Sequence, residues 1–465
     1  MKLLALFAAL ALVAVCNAHE KTVFCYYGTW STYRNGDGKF DVSNIDPFLC
    51  THLGYSFFGI DTQGNMKSLD DYLDYEENWG RGNIKAFNDL KNVNPKLKTL
   101  AVVGGWNEGS LKYSEVAADP AKRQNFIRSS VEFIQKHGFD GLDLDWEYPA
   151  QRDSTNHADK ANFVTWLQEI RAEYDKHGYL ITIAVGATAN LAEPSYNIPA
   201  ISKALHFINL MTYDLHGSWD GRTGENAPLY DSGDLSVNAA VDYWLQQGAP
   251  AEKLVLGLGF YGRSFTLANS GSHGLGAPTT GPGAAGPFTG EPGLLGYNEI
   301  CANKNWNIVW NEDQVVPFGY QSNQWVGFDN PRSIQDKVVY SLERDLGGVM
   351  VWSIETDDFR GACGPKYPLL HTIDNVLNGD TSIPIPEPEP ENPEPENPEP
   401  ENPVQPENPT AVDCANKPTG YYQNANDCSK YIYCDNGAQH NFQCPNGLNF
   451  NPNSISCDYP ENVKC

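Results

Sequence analysis

Phe139-Asp140-Gly141-Leu142-Asp143-Leu144-Asp145-Trp146-Glu147-Tyr148-Pro149 carries an acidic residue at every second position from Asp143 onward. Successive side chains of a β-strand point to opposite faces, so Asp143, Asp145 and Glu147 share one side and Leu142, Leu144 and Trp146 the other. The apolar side suits packing against helices. Three carboxylates crowded on one face repel one another and are costly to desolvate, so a purely structural strand has no use for them. The stretch reads as a strand ending in a tuned acid site. A divalent-cation site is the rival reading. No complementary histidine cluster accompanies the acids, and no metal or cofactor is expected.

Seven more β-branched or aromatic runs surround this one, giving eight strand candidates: 22–27, 51–58, 98–103, 141–146, 180–185, 207–212, 254–259 and 348–352. Helical patterns at 124–136, 160–177 and 237–247 lie between them. Strand–helix alternation implies parallel strands with right-handed crossovers. Eight repeats predict an α/β fold, a (β/α)8 TIM barrel. A doubly wound sheet is disfavoured by the strand number and by the lack of G-x-G-x-x-G. The gap between the seventh and eighth strands is too long for an ordinary connection. It opens on a Gly/Pro-rich stretch and continues through aromatic runs, so about 265–335 is predicted to be an inserted α+β subdomain.

Met1-Lys2, the apolar run from Leu3 to Val15 and Cys16-Asn17-Ala18 have the form of a secretory signal peptide, residues 1–18. The run is too short to span a bilayer, and the product is expected to be secreted, extracellular and without a membrane partner. Of 11 cysteines, Cys16 falls in that segment. The even remainder predicts disulfides, and with no C-x-x-C pair a cysteine zinc site is not expected. The net charge of −26 excludes nucleic acid as a partner. Eight of the carboxylates lie between Glu387 and Glu407 without a Lys or Arg. Composition thus divides the chain into a domain at 19–379, a Pro/Glu/Asn-rich linker at 380–411 and a cysteine-dense unit at 412–465. The linker cannot bury apolar surface and reads as an extended spacer. A monomer is expected.

In a (β/α)8 barrel, functional side chains gather at the C-terminal strand ends. Besides the acidic row, those ends carry Trp30, Gly105-Trp106, Met211-Thr212-Tyr213-Asp214, Tyr261-Gly262-Arg263 and Trp352. Large aromatics suit the apolar faces of pyranose rings, while carboxylates, a phenol and an arginine suit hydroxyl and amide groups. Core packing is the plain alternative for Trp30, Trp106 and Trp352, and a simple ion pair for Arg263. His52, His206 and His216 read as structural.

Asp140-Gly141-Leu142-Asp143-Leu144-Asp145-Trp146-Glu147, Gly104-Gly105-Trp106, Met211-Thr212-Tyr213-Asp214, Tyr261-Gly262-Arg263 and Trp352 together resemble glycoside hydrolase family 18, the chitinases, over residues 21–379. The resemblance implies Glu147 as general acid and the substrate's own 2-acetamido oxygen as nucleophile, outside the usual two-carboxylate scheme. It implies that Asp145 orients the acetamido group, that Asp143 shares a proton with Asp145, and that Tyr213 holds the acetamido oxygen. Asp214, Arg263 and Glu299 are implied to bind sugar polar groups. Tyr26, Trp30, Phe57, Trp106, Trp219 and Trp352 form the implied stacking surface, with Gly105, Met211 and Tyr261 lining it. Gly259 departs from the pattern, since many relatives have proline there. Cys25–Cys50 and Cys301–Cys363 are the expected pairs of this domain.

The last six cysteines are separated by 13, 5, 9, 12 and 7 residues, which by itself leaves fifteen pairings open. The unit resembles the peritrophin-type chitin-binding domain of invertebrate proteins. That resemblance implies Cys414–Cys434, Cys428–Cys465 and Cys444–Cys457. Tyr421, Tyr422, Tyr431, Tyr433, Phe442 and Phe450 exceed what so small a core needs, so some are expected to face sugar. The whole reads as a secreted chitinase with chitin as partner. A chitin-binding lectin on an inactive barrel and an endo-N-acetylglucosaminidase are the alternatives. The first is opposed by the presence of every acid, the second by the tethered module.

Overall fold

The computed structural model describes residues 21–380 and most of 414–465. The expected signal segment, the linker from residue 381 onward, and Cys465 with its expected bond to Cys428 lie outside the described residues. In chain order, the first unit contains β1 (Thr22–Gly28), β2 (His52–Ile60), the short β3 (Met66–Ser68), β4 (Lys98–Gly104), β5 (Gly141–Asp145), β6 (Leu180–Gly186), β7 (Phe207–Met211) and β8 (Leu254–Gly259). These are followed by β9 (Tyr261–Leu267), β10 (Thr279–Pro282), β11 (Leu294–Gly296), β12 (Asn307–Asn311), β13 (Val316–Gln321), β14 (Gln324–Gly327) and β15 (Gly348–Trp352).

Eight of these strands run parallel in the order β1-β15-β8-β7-β6-β5-β4-β2, and pairing of β1 with β2 closes the barrel. β3 adds antiparallel to the upper end of β2. The barrel strands are buried on both faces, which explains their near-continuous apolar sequences. All eight strand predictions are met, with no end moved by more than two residues. The helix predicted at 124–136 spans Pro120–His137. Asp119 caps it by accepting from Ala121 N, Pro120 opens it, and Gly138 ends it in the left-handed conformation (φ 78°). That stop turns the chain directly into β5.

The insertion is bounded differently from the sequence reading. The chain leaves the barrel at Phe260, and Tyr261 already pairs antiparallel with Gly296. β9 to β14 form a six-stranded antiparallel sheet over Phe265, Leu267, Phe318 and Trp325. The insertion therefore runs from Tyr261 to Gly327, and the helix Pro331–Glu343 packs back on the barrel side. Tyr261 and Arg263 belong to its first strand, not to a barrel loop. Cys25–Cys50 and Cys301–Cys363 are both formed.

The C-terminal unit holds a three-stranded antiparallel sheet of β16 (Gly420–Gln423), β17 (Lys430–Asp435) and β18 (Ala438–Gln443), and a pair of β19 (Asn449–Asn451) and β20 (Ser456–Asp458). Cys414–Cys434 and Cys444–Cys457 join as expected.

Trp146 carries the apolar side of the opening stretch. It is buried against Tyr113, Phe163 and Trp166, and its Nε1 donates to Ser110 Oγ at 2.7 Å. Trp146→Ala should cost about 3–5 kcal/mol, read as a lowered denaturant midpoint. A midpoint equal to wild type would mean that this side does not anchor the strand.

Candidate active site

The acidic row lies at the C-terminal end of β5 with three different environments. Asp143 is fully buried and accepts from Tyr26 Oη at 2.8 Å, from Asn209 Nδ2 at 3.2 Å and from the Thr182 hydroxyl. Burial still raises its carboxyl to about 6, against the pull of those donors. Asp145 is buried and its Oδ1 has no hydrogen-bond partner. Burial, then Glu147 and Asp143, push it well above the usual carboxylate range. Glu147 follows the strand, half-buried, and burial raises it to about 7, while Tyr148 and Arg152 act in the opposite sense. Asp143 acts on Asp145 through its charge, raising its affinity for a proton. Tyr213 lies beside the row, buried and close to Met350 Sδ (3.7 Å), with its ring edge-on to Tyr261.

A second group sits on the insertion side. Arg263 grips Asp214 with two parallel bonds, Nε to Oδ1 at 2.6 Å and Nη2 to Oδ2 at 2.7 Å. Such a fork is the strongest ion-pair geometry a carboxylate can meet. Tyr261 Oη adds a third bond to Oδ1 at 2.5 Å. Asp214 is held in the left-handed region (φ 58°), and its N–H donates to Asn226 Oδ1 at 3.0 Å. The Arg263 guanidinium lies 5.4 Å from the Trp219 ring centre, and the indole is 61% exposed.

Aromatic rings line the other side. Trp352 contacts Tyr26 (5.5 Å), Phe57 (5.6 Å) and Trp30 (6.1 Å), and Trp30 stacks on Phe57. Non-proline cis peptide bonds join Ser56–Phe57, Glu147–Tyr148 and Trp352–Ser353. A side chain at Gly105 would meet the Phe57 ring at 2.8 Å, and Gly105 holds φ 87°, so only glycine fits. Trp106 is 58% exposed and Trp30 42%. Core packing is thereby excluded for both. An open row of indoles over buried acids can hold a sugar chain by its apolar faces while presenting a proton to it.

Comparison with known proteins agrees with this geometry. The family model described as Glycosyl hydrolases family 18 matches residues 22–357, and that of the Chitin binding Peritrophin-A domain matches 414–465. The chain belongs to glycosyl hydrolase family 18. It is 40% identical over 460 residues to chitotriosidase-1 of Mus musculus, covering 94% of each protein. Among solved structures, the Ostrinia furnacalis Group IV chitinase in complex with allosamidin is 48% identical with a TM-score of 0.75, over 77% of this chain and 99% of that one. Human YKL-39, described as a pseudo-chitinase with retained chitooligosaccharide binding, is 38% identical with a TM-score of 0.71 over 77% and 99%. Fold therefore does not separate enzyme from binding protein; the acids must.

Most residues expected of a family 18 site converge here, but Tyr26 is buried edge-on against Trp352 and spends its hydroxyl on Asp143, so it offers no face for stacking. Met211 ends β7 half-buried. Glu299 differs: it is buried, and its carboxylate accepts from Phe288 N (2.6 Å), Thr289 N (2.9 Å), Thr289 Oγ1 (2.9 Å) and Gly296 N (2.7 Å). Four protein donors saturate it, so it braces the loop of the insertion and has no capacity left for sugar hydroxyls. Arg263 is indeed an ion-pair partner, and also part of the cleft wall. His52, His206 and His216 bond Thr51, Ile181 and Asp220, away from the acids.

Several residues escaped the sequence reading. Thr182 and Asn209 are lone polar residues inside apolar strands, a signal that could have marked them as partners of Asp143. Arg152 caps Trp106 at 3.6 Å and donates Nη1 to the carbonyls of Trp106 and Glu147, both at 3.0 Å. Tyr33, exposed on the same 3₁₀ turn as Trp30, Thr29–Tyr33, donates its hydroxyl to Asp70 Oδ2 at 2.7 Å. In the C-terminal unit, Tyr421 and Phe442 are exposed, whereas Phe450 is buried under Tyr431 and Tyr422 packs on the Cys414–Cys434 core.

Arg263→Met removes the fork but keeps most of the side-chain volume. KM for a soluble N-acetylglucosamine oligomer should rise about tenfold or more, with a smaller change in kcat, since one charge-assisted pair carries about 1.5–3 kcal/mol. An unchanged KM would remove the fork from the binding surface.

Proposed function

We propose that this family 18 protein is a secreted, monomeric chitinase that hydrolyses β-1,4-linked N-acetylglucosamine with net retention, assisted by the substrate's acetamido group. The observation that carries the reading is Asp145 Oδ1, a buried acceptor with no donor among the described residues. Such a group is costly to leave unpaired. An acetamido N–H is the donor it lacks, and binding one turns the amide oxygen toward the anomeric carbon.

Glu147 is protonated near neutrality and gives its proton to the glycosidic oxygen as the bond to the anomeric carbon breaks. The acetamido oxygen forms a bond to that carbon from the opposite face, giving an oxazolinium ion. Asp145 accepts its N–H and offsets its charge. Tyr213 donates to the acetamido group and fixes its direction. Glu147, now a carboxylate, takes a proton from water, which opens the ring and restores the β configuration. Trp352 lies under the reacting ring, and Trp30, Phe57, Trp106 and Trp219 line its neighbours. Asp214, Tyr261 and Arg263 bind polar groups.

The peritrophin-A domain at 414–465 favours an insoluble polymer over glycoprotein glycans, because a tethered binder raises local concentration only where sites repeat. Its exposed Tyr421 and Phe442 are the stacking candidates. Secretion rests on residues 1–18 and on the cysteine content; no helix among the described residues is long and apolar enough to cross a membrane.

Glu147→Gln should lower hydrolysis of a chitin oligomer by about 10²–10⁴-fold and leave binding to insoluble chitin unchanged. Proton NMR at early times should show the β-anomer as the first product of the wild type. Binding without turnover in either protein would favour the lectin reading, and an α-anomer first product would exclude retention.

A further inference from the structure

Glu225 lies behind the Asp214–Tyr261–Arg263 group and takes no part in the reaction above. It is 1% exposed, and neither Oε1 nor Oε2 has a hydrogen-bond partner. The charged groups facing it are Asp329, in the segment after β14, and Lys337, on the helix Pro331–Glu343. These two form a buried ion pair, Nζ to Oδ1 at 2.5 Å, and Ser333 Oγ also donates to that oxygen at 2.7 Å. Asp336, on the same helix, acts on Lys337. The neighbouring amide of Asn311 gives one Nδ2 hydrogen to Gln314 Oε1 at 2.9 Å, and its side chain favours the ionised form of Glu225. One ammonium thus balances one carboxylate. Ionised Glu225 would leave a second negative charge in the core without a counterion of its own, and a group so placed keeps its proton.

Two contacts connect this residue to the cleft. A Cβ at Gly327 would lie 2.6 Å from Glu225 Oε2, so the side chain is wedged against the backbone of β14. Gly327 is the register partner of Arg263 on β9. The next residue, Asn226, accepts from Asp214 N at 3.0 Å and donates Nδ2 to Tyr261 O at 3.1 Å. The backbone at 225–226 is therefore the support on which the cleft wall rests.

We propose that Glu225 is a positioning residue that works as an uncharged acid, seating Asn226 against Asp214 and Tyr261 while neutral and withdrawing that support when ionised. Burial, then Asp329, raise its carboxyl well above the ordinary value, with Lys337 and the Asn311 side chain opposing. The folded state therefore binds this proton more tightly than the unfolded chain. The stability it confers is complete at acid pH and declines as pH rises from the ordinary glutamate range through the raised folded value. Sugar affinity should decline over the upper part of that range.

The functional half of this proposal rests on the cleft being a sugar site. The test uses the full-length Glu147→Gln protein, with and without E225Q, and titrates soluble penta-N-acetylchitopentaose by calorimetry from about pH 6 to about pH 9. The two affinities should converge at the acid end, and the protein retaining Glu225 should lose about fivefold more affinity by the alkaline end. Equal losses overturn the proposal. Absence of binding by Glu147→Gln at the acid end contradicts the sugar-site reading instead, and thermal melting then decides the matter without ligand. E225Q should gain Tm over wild type as pH rises, whereas a pH-independent difference overturns the proposal. A neutral residue of this size must be accepted, so failure of both E225Q and E225M to fold also counts against it.

Discussion

The cost of removing carboxylates from water is the constraint on which this structure turns. β5 places Asp143 and Asp145 inside the barrel and Glu147 at its mouth, where no lysine or arginine side chain among the described residues forms an ion pair with any of them. The fold tolerates the row because each acid meets it differently. Asp143 is met by three donors from β1, β6 and β7, so the closed barrel itself satisfies it. Asp145 receives none, and Glu147 is left half-covered beside it. Glu147 raises Asp145 through its charge, and acids this close titrate as a unit. A general acid that is charged at working pH is useless, so the desolvation that destabilises the row is also what arms it.

The remaining architecture brings other groups to that point. The barrel supplies the aromatic row on strand ends that are close-packed underneath, which fixes the rings without loop flexibility. The insertion supplies Tyr261 and Arg263 from β9, so one wall of the cleft belongs to a different sheet. Asp214, at the end of β7, is the junction between the two. Its left-handed backbone and its two-bond fork with Arg263 tie the insertion to the barrel within reach of Tyr213. Burial at Glu225, immediately behind, is the same physics repeated at one remove from the cleft.

Much of this was legible in the sequence, for identifiable reasons. Period-two acids with a leucine–tryptophan reverse side can be satisfied only by a strand with two different faces. The eight strands were visible because parallel strands buried on both faces must be continuously apolar. What escaped was non-local. Nothing near Tyr261 announces that it pairs with Gly296, so the start of the insertion was set four residues late. Glu299 was carried over as a sugar ligand because its chemistry allows it, while its saturation by Phe288, Thr289 and Gly296 depends on a loop folding back. Arg152 lies in a polar loop, and only the turn after Glu147 brings its guanidinium over Trp106. Asn226 and Glu225 gain their significance from contacts with β9 and β14 that no local pattern encodes.

The central claim, that desolvation keeps Glu147 protonated until near-neutral pH, is tested most directly by kcat/KM for a soluble N-acetylglucosamine oligomer as a function of pH. The account predicts a plateau that falls above an apparent pKa of about 7, about tenfold per pH unit thereafter. A profile that declines already through the ordinary carboxylate range near pH 4–5, or one that stays flat to about pH 9, would contradict it, because the acid would then not be the buried, coupled carboxyl that the row creates.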